Sequence, residues 1–307
     1  MTDQHPHSRP QGPTIDQGKC TGCGLCLTVC PDQTLSLLRG KAVVSGDRCI
    51  ACAHCHAICP SQAITVPGLE HDLRFHSFTA DTRYLPPGQG DTPQLVRIML
   101  SRRSCRCYQN RALEQKLLED LVRIGTSAPS GTNSQGWTFT ILPQRPAVET
   151  LGNLVGAYFA KLNHQAANPL LRSLLRLVGR PALANYYHRY HRTIAQGLRE
   201  WKEHGRDRLF HGAPAAIIVG SHPGASCPKE DALLATQNIL LAAHTLGLGS
   251  CLIGFAVAAM AKAPKIQRAL GIPADETIHA VIALGYPAEP YQRLTGRKPI
   301  TPRYFSG

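Results

Sequence analysis

The cysteines carry the clearest chemistry in the sequence, because eight of the 12 fall into two copies of one pattern. Segments 20–31 and 49–60 both read C-x2-C-x2-C-x3-C-P. Three thiolates at this spacing can wrap one loop around three irons of a cubane, and the fourth starts a short helix that points to a second cluster. The repeat therefore predicts two [4Fe–4S] clusters with crossed ligands. One ligand set is Cys20, Cys23, Cys26 and Cys59, and the other is Cys49, Cys52, Cys55 and Cys30.

Three other interpretations of these cysteines are weaker. Zinc sites favour paired C-x2-C knuckles and have little use for a third cysteine at the same spacing. Three cysteines in one short loop pair poorly as disulfides, which also do not suit a cytosolic chain. A domain that has lost its clusters stays open, although all eight ligands are present. Residues 14–66 as a whole resemble the bacterial two-cluster ferredoxin domain, whose folding should depend on bound metal.

Four further motifs could bind a flat, phosphorylated ligand. Ser101–Tyr108 holds three arginines, whose forked donors suit a phosphate. Ala128–Trp137 is a polar loop whose amide side chains could pair with the edge of a heterocycle. Gly247–Phe255 puts small residues beside an apolar strand, where a backbone can approach a ring closely. Gly296–Pro299 adds a second basic pair. Each motif alone is also compatible with an ordinary helix end or turn.

Together and in this order, the motifs resemble those of the nitroreductase family of FMN enzymes over residues 93–307. The resemblance implies that the arginines, Ser104 and the C-terminal basic pair hold the FMN phosphate and ribityl chain, and that the middle loop lies along the isoalloxazine. It also implies that the backbone N–H groups of Ile253 and Gly254 face flavin N5 and O4. The implied cofactor-binding residues are Arg102, Arg103, Ser104, Arg106, Pro129, Ser130, Asn133, Gln135, Ile253, Gly254, Arg297 and Lys298.

Three features depart from the pattern of that family. Gly136 stands where proline is usual, and Ile253 stands where some members have a glutamate, so that only the backbone could donate there. Residues 163–211 form an insertion rich in Arg, His and Tyr, with leucines at helical spacing. This insertion is interpreted as a packed amphipathic hairpin or as a cap over the site. A basic helix on a membrane surface is a weaker alternative.

The whole sequence predicts an α+β protein with two domains. Residues 1–13 are expected to form a flexible tail, 14–66 the cluster domain, 67–92 a linker rich in Pro and Gly, and 93–307 the flavin domain. In the last, helix and strand patterns alternate around one sheet. The resemblance implies that this sheet is mostly antiparallel and that two chains form an intertwined homodimer. Helices are predicted at 95–102, 113–125, 147–162, 231–246 and 258–270, and strands at 137–142, 213–221, 250–255 and 277–284.

Composition narrows the classes of partner. The formal net charge of +13 suits nucleic acid, an acidic protein or a phosphorylated ligand. No polybasic run or aromatic–basic stripe is present, so nucleic acid is disfavoured. The polar start of the chain has no apolar signal region, and a cytoplasmic location is expected. Residues 232–261 hold no charged side chain and could span a bilayer by length, but glycines interrupt them. A buried helix, a turn and a strand are therefore predicted there, with no transmembrane span.

The fusion of both parts favours one function. Single electrons from an external donor, a ferredoxin-like protein or NAD(P)H, would pass through the clusters to FMN, which would reduce a nitroaromatic, quinone or other electron-poor small molecule. The alternatives are an electron-transfer module that serves a protein partner and an enzyme that consumes reduced flavin. The chain has no G-x-G-x-x-G after a strand, although the family binds nicotinamide without one. The proton would come from water or from Tyr186, Tyr187 or His188.

Overall fold

The computed structural model describes residues 12–307, so the predicted tail lies outside the described residues apart from Gly12 and Pro13. The cluster domain is built from two short antiparallel pairs and two short helices. β1 pairs with β4, and β2 pairs with β3. In chain order its elements are β1 (Thr14–Ile15), α1 (Leu25–Thr28), β2 (Leu35–Leu38), β3 (Lys41–Val44), α2 (His54–Ile58) and β4 (Ile64–Thr65).

The two cysteine loops follow the same backbone path, as the repeat predicts. Each short helix begins after a residue in the left-handed region, Gly24 at φ 77° before α1 and Ala53 at φ 58° before α2. Two residues earlier, Gly22 and Ala51 are left-handed as well. Because a left-handed non-glycine residue costs roughly 1–2 kcal/mol, the second loop needs contacts that hold its alanines in this conformation.

A four-stranded antiparallel sheet in the order β5-β6-β8-β7 organises the larger part of the chain, which confirms the predicted antiparallel sheet. Its helices cover both faces. The elements are α3 (Thr92–Ser101), α4 (Gln115–Gly125), β5 (Trp137–Leu142), α5 (Arg145–Ala167), α6 (Pro169–Leu177), α7 (Ala182–His204), β6 (Ala215–Ser221), α8 (Pro228–Thr245), β7 (Gly249–Leu252), α9 (Gly254–Met260), α10 (Pro264–Ala269) and β8 (Thr277–Gly285).

The central strands are apolar because helices bury them from both sides. Every residue of β6 is buried. Alternate residues of this strand join two different core clusters: Ile218 packs with residues of α5 and α9, and Ile217 packs with residues of α4 and α8. The sequence of a strand buried on both faces is a continuous apolar run and does not alternate between apolar and polar residues. The sequence signal for β6 is therefore strong.

Two predicted boundaries are wrong around the end of β7. Phe255 lies in α9 and not in an extended segment, and the helix predicted at 258–270 is split into α9 and α10. Pro264 explains the split, because proline cannot donate to the preceding turn and its ring clashes with it. The charge-free stretch folds mainly as α8 and β7. No helix in the described range 12–307 has both the length and the apolar character that crossing a membrane requires.

The insertion folds back as a helical hairpin against α5. The buried Asn163 of α5 donates from Nδ2 to the His191 carbonyl at 3.1 Å. Near the other end of α7, Trp201 donates from Nε1 to Asn153 Oδ1 at 3.0 Å. These bonds fix α7 along the length of α5. Residues 163–211 thus form helices, with α7 packed on α5, whereas Leu170, Leu174 and Leu177 of α6 are 59–84% exposed.

The linker is tied to both domains. The Asp120 carboxylate on α4 is fully buried and accepts the backbone N–H groups of His76 at 2.9 Å and Ser77 at 2.7 Å. Burial alone would raise the pKa of Asp120, but these bonds and the Ser77 hydroxyl hold it below its usual range. On the cluster side, the His71 ring stacks on His56 of α2 with centroids 4.1 Å apart. The linker therefore fastens α2 to α4.

Candidate cofactor and acceptor site

The eight repeat cysteines line two small cavities, and they are divided between them as the crossed pattern predicts. One cavity is lined by Cys30, Cys49, Cys52 and Cys55, and the other by Cys20, Cys23, Cys26 and Cys59. Among residues 12–307, no three His, Cys, Asp or Glu side chains are close enough to share one metal ion. Four thiols around one cavity suit a larger group, because cluster ligands stand around a cube of four irons.

Backbone N–H groups point at several of the thiol sulfurs. Cys30 Sγ accepts from Thr34 N, and its counterpart in the repeat, Cys59 Sγ, accepts from Ala63 N, both at 3.3 Å. Hydrogen bonds of this kind favour the thiolate and tune the potential of a cluster bound to it. The residues present therefore fit iron–sulfur clusters in both cavities. Two further bonds run from Ala42 N to Cys20 Sγ and from Ala51 N to Cys49 Sγ.

The arginine motif lies directly beside β7. Ser104 and Ser250 form a parallel bridge, and Cys105 N donates to the Ser250 carbonyl at 2.9 Å. Burial raises the pKa of the neighbouring Cys251 thiol, while Arg106 and Arg102 lower it. The structure thus brings the first and third motifs together at one edge of the sheet.

Arg103 and Arg297 converge on one hydroxyl group. Both donate from Nη1 to Thr295 Oγ1, Arg297 at 3.0 Å. The Nε atom of Arg103 is buried and has no hydrogen-bond partner among residues 12–307. None of the predicted phosphate-binding arginines forms an ion pair in that same range. An orphaned donor among uncompensated guanidinium groups fits an anion such as a phosphate. Lys298 is exposed next to Arg297.

The polar loop 129–135 is held rigidly by α8. Gly131 N donates to Asp231 Oδ1 at 3.0 Å and Ser134 Oγ donates to Oδ2 at 3.3 Å, and Asp231 itself is buried. A Cβ atom at Gly131 would lie 2.8 Å from Cys227 Sγ, so only glycine fits there. A Cβ atom at Gly136 would lie 2.8 Å from Ala225 Cβ. The close approach of Ala225 explains why Gly136 replaces the proline of the family pattern.

Two implied flavin contacts are corrected by the structure. The Ile253 N–H group donates to the Val281 carbonyl at 2.8 Å, because pairing with β8 continues past the end of β7. The side chain of Asn133 turns to the cluster domain, where Nδ2 donates to the Ala51 carbonyl at 2.9 Å. Neither donor is free for the isoalloxazine. Gly254 is exposed, with open space where a side chain would begin.

An apolar cavity of about 310 Å³ is lined in part by Phe255, the residue that follows Gly254 in the sequence. Phe255 forms one wall and packs edge-on against Phe159, with centroids 5.4 Å apart. The His211 side chain also lines the cavity, and burial lowers its pKa, so it is neutral at pH 7. The remaining walls come from α5, α7 and the segment after α7, and include Val155, Ile194, Gly197, Trp201 and Phe210.

The tyrosines considered as proton donors point elsewhere. Tyr186 donates its hydroxyl to Asn163 Oδ1, and burial raises its pKa to about 12. Tyr187 packs under the Arg172 guanidinium, 3.9 Å from the ring centroid. His211 lines the cavity together with Glu149, Asp207 and Arg208, and no sequence motif marks any of them.

Comparison with known proteins agrees with this architecture. Residues 99–286 match the nitroreductase family, and residues 12–60 match the 4Fe-4S dicluster domain. A relative from Archaeoglobus fulgidus, named for NADH dehydrogenase or NAD(P)H nitroreductase activity, is 25% identical over 64% of this chain and 87% of its own length. The 4-nitrobenzoate reductase of a Nocardioides species is 26% identical over 62% of this chain and 78% of its own length. A Bacteroides fragilis nitroreductase with bound FMN covers 68% of this chain and 95% of its own, with a TM-score of 0.47 at 23% identity.

The fold and the arginine-rich edge of the sheet are those of an oxidoreductase with an iron–sulfur domain attached. The chain belongs to the nitroreductase family.

Proposed function

We propose that residues 14–66 hold two [4Fe–4S] clusters, that residues 93–307 hold FMN, and that the protein relays single electrons from an external donor to a small electron-poor acceptor. The observation that carries the proposal is the orphaned Nε of Arg103 among unpaired arginines, in a chain that also has two cavities lined by cysteine. Clusters exchange electrons singly, whereas bound FMN supplies two-electron, hydride-type reduction.

Different residues at the arginine-rich edge of the sheet would bind different parts of FMN. Arg103 and Arg297 would bind the phosphate, with Arg102, Arg106 and Lys298 adding positive charge around it. Ser104 and Ser250 stand next to each other, and the buried Ser250 Oγ has no partner among the described residues. We assign these two hydroxyls to the ribityl chain. Pro129, Ser130 and the Gly254 N–H group would lie at the ring, where preorganised donors stabilise negative charge.

The aromatic cavity favours a small flat molecule, rather than a protein, as the electron acceptor. Its volume is about 310 Å³, and its walls are mainly apolar and aromatic side chains, among them Phe255. This is the usual character of a small-molecule site. A nitroaromatic or quinone fits these walls. The relatives named for 4-nitrobenzoate and NAD(P)H support this acceptor class and leave NAD(P)H beside a ferredoxin-like protein as electron donor.

A homodimer is part of the proposal, because large apolar surfaces are uncovered in one chain. On α3, Leu95 and Met99 are 49% and 44% exposed. In the C-terminal segment after β8, Ile300, Tyr304 and Phe305 are 87–96% exposed. Exposed apolar patches of this kind mark protein–protein interfaces. A second copy of the chain would cover them.

Cofactor content tests the function directly. Purification without oxygen, followed by iron, sulfide and flavin assays and a native mass measurement, should give about eight irons, eight sulfides and one FMN per chain in a dimer. A preparation without flavin that does not rebind FMN would refute the flavin part. A preparation without iron, made under the same conditions, would refute the relay.

The cavity assignment predicts the effect of filling it. Gly197 lines the cavity from α7, and a Cβ atom added there would have only Arg208 Cβ nearby, at 3.9 Å. Gly197→Leu should raise the KM for a nitroaromatic acceptor about tenfold, equivalent to about 1.4 kcal/mol, because the new side chain occupies the space of the acceptor. Steady-state kinetics with flavin content measured in parallel checks this.

Gly197→Ala is the matched control for that substitution. It adds one methyl group and should leave KM nearly unchanged, while stabilising the helix by up to about 1 kcal/mol. If Gly197→Leu binds full flavin and its KM equals that of the alanine variant, the acceptor lies elsewhere.

A further inference from the structure

One side chain makes the direct hydrogen bonds between the cluster domain and residues 92–307. Within residues 12–307, the two hydrogen bonds that join residues 12–66 directly to residues 92–307 both come from Asn133. We propose that Asn133 is a positioning residue that docks the second cysteine loop, residues 49–55, on the flavin loop, residues 129–135. The cluster held by Cys30, Cys49, Cys52 and Cys55 is then the one that exchanges electrons with FMN. This inference rests on the proposed function.

The bonds reach the backbone immediately before a cluster ligand. Asn133 Nδ2 donates to the Ile50 carbonyl at 3.2 Å and to the Ala51 carbonyl at 2.9 Å, and Cys52 is the next residue. Ile50 and Ala51 both line the cavity that holds Cys52 and the other three cysteines of its set. Gln135 Nε2 donates to Asn133 Oδ1 at 3.2 Å, which fixes the orientation of the amide. All the polar atoms of the Asn133 side chain are thus used.

The flavin loop, on which the second cysteine loop docks, is held rigidly. The flavin loop is tied to the buried Asp231 of α8, as described above, and Thr132, Asn133 and Gln135 all have φ between 45° and 54°. Asparagine tolerates the left-handed region better than most residues. The backbone therefore aims the Asn133 side chain at the cluster domain and not at the edge of the sheet.

The docking bonds also support the left-handed backbone of Ala51 in the second loop. Ala51 at φ 50° and Ala53 at φ 58° stand where the first loop has Gly22 and Gly24. A donor held on the Ala51 carbonyl supports a backbone conformation that alanine alone disfavours. The first loop needs no such support, because glycine adopts this conformation freely.

The first loop faces its own domain and solvent. Lys41 Nζ donates to the Cys20 carbonyl, and Cys23 is exposed. Among the described residues, no hydrogen bond joins residues 20–26 to residues 92–307. The electron order that follows is external donor, first cluster, second cluster, FMN. Two one-electron transfers oxidise two equivalents of a one-electron donor for each FMN reduced, and the protons come from water.

Hydrogen–deuterium exchange on the full chain, purified without oxygen, tests the docking. Asn133→Asp keeps the shape of the side chain but places an oxygen where Nδ2 faces the two carbonyls. The amide exchange rates of residues 49–53 should rise about threefold to tenfold, as expected for the loss of one or two hydrogen bonds. Exchange in residues 20–26 should not change. Asn133→Ala should show the same pattern with a smaller effect, because it removes the bonds without adding repulsion.

Potentiometric titration of both clusters by electron paramagnetic resonance is the second measurement. Asn133→Asp should shift the midpoint potential of one cluster and leave the other in place, since nearby charge and solvent exposure set cluster potentials. Equal shifts of both, a shift of neither, or unchanged exchange in residues 49–53 would overturn the inference. Iron and FMN assays on the same samples distinguish a failure of the docking inference from a failure of the proposed function. If the proposed function is wrong, the parent protein itself will lack iron or FMN.

Discussion

Removing the iron is expected to unfold residues 12–66 and to leave residues 92–286 folded. The buried apolar residues described in the cluster domain are few and small, and two of the six in its main core cluster are cluster ligands: Cys20, Cys26, Leu35, Ala42, Ala63 and Ile64, with Val66 buried beside the end of β4. Its strands are two to four residues long. A core of this size does not offset the chain entropy of folding, so metal binding must supply the difference. The sheet of the larger domain has its own two core clusters and needs no iron.

Chelation under reducing conditions, followed by hydrogen–deuterium exchange, measures this. Amides of residues 12–66 should exchange as in an unfolded chain, while those of β6 and β8 stay protected. Cys52→Ser should lose about half of the iron or more, because it removes one ligand of one cubane. Cys107→Ser is the matched control, because Cys107 is exposed and lies outside both cysteine sets. Protected amides in an iron-free cluster domain would contradict the expectation.

The features that could be predicted from the sequence are those that local chemistry determines. Cluster ligands must keep fixed spacing, so the repeat alone divides the cysteines into the two sets that line the two cavities. The apolar runs of β6 and β8 are equally clear, because strands buried on both faces consist mainly of apolar residues. The resemblance assigns the arginine motif and Gly247–Phe255 to one cofactor, and in the structure the Ser104–Ser250 bridge joins these two motifs.

The rest depends on contacts between distant segments, which carry no local signal. Asn133 belongs to a motif that implies a flavin contact, and only the position of the cluster domain shows that Ala51 takes its amide. The Ile253 N–H group is used because β8 extends far enough to reach it. His211 and the aromatic walls of the cavity come from segments between residues 148 and 255. Their chemistry arises from packing and not from spacing.

Arg103→Glu is expected to weaken FMN binding at least a hundredfold. In the present arrangement, Arg103 and Arg297 share Thr295 Oγ1, and Arg103 Nε is buried without a partner among the described residues. Reversing the charge removes forked donors to the phosphate and leaves a carboxylate where a dianion must bind. Loss of charge-assisted hydrogen bonds plus repulsion is worth about 3 kcal/mol or more, which is about two powers of ten in Kd. Fluorescence titration of flavin-free protein with FMN measures this.

Three comparisons identify the phosphate as the group that Arg103 binds. Arg103→Lys keeps the charge but loses the forked pair of N–H donors, so its affinity for FMN should be about tenfold lower than that of the parent protein. Arg83→Glu changes the net charge equally in the exposed linker and should bind FMN like the parent. Riboflavin lacks the phosphate, so its affinity should be nearly the same for the parent and Arg103→Glu. If Arg103→Glu weakens riboflavin as much as FMN, the residue supports the fold of the site, and the orphaned Nε serves another purpose. If only FMN responds, the uncompensated arginines at the edge of the sheet are a phosphate site, and the flavin part of the proposed function stands independently of the clusters.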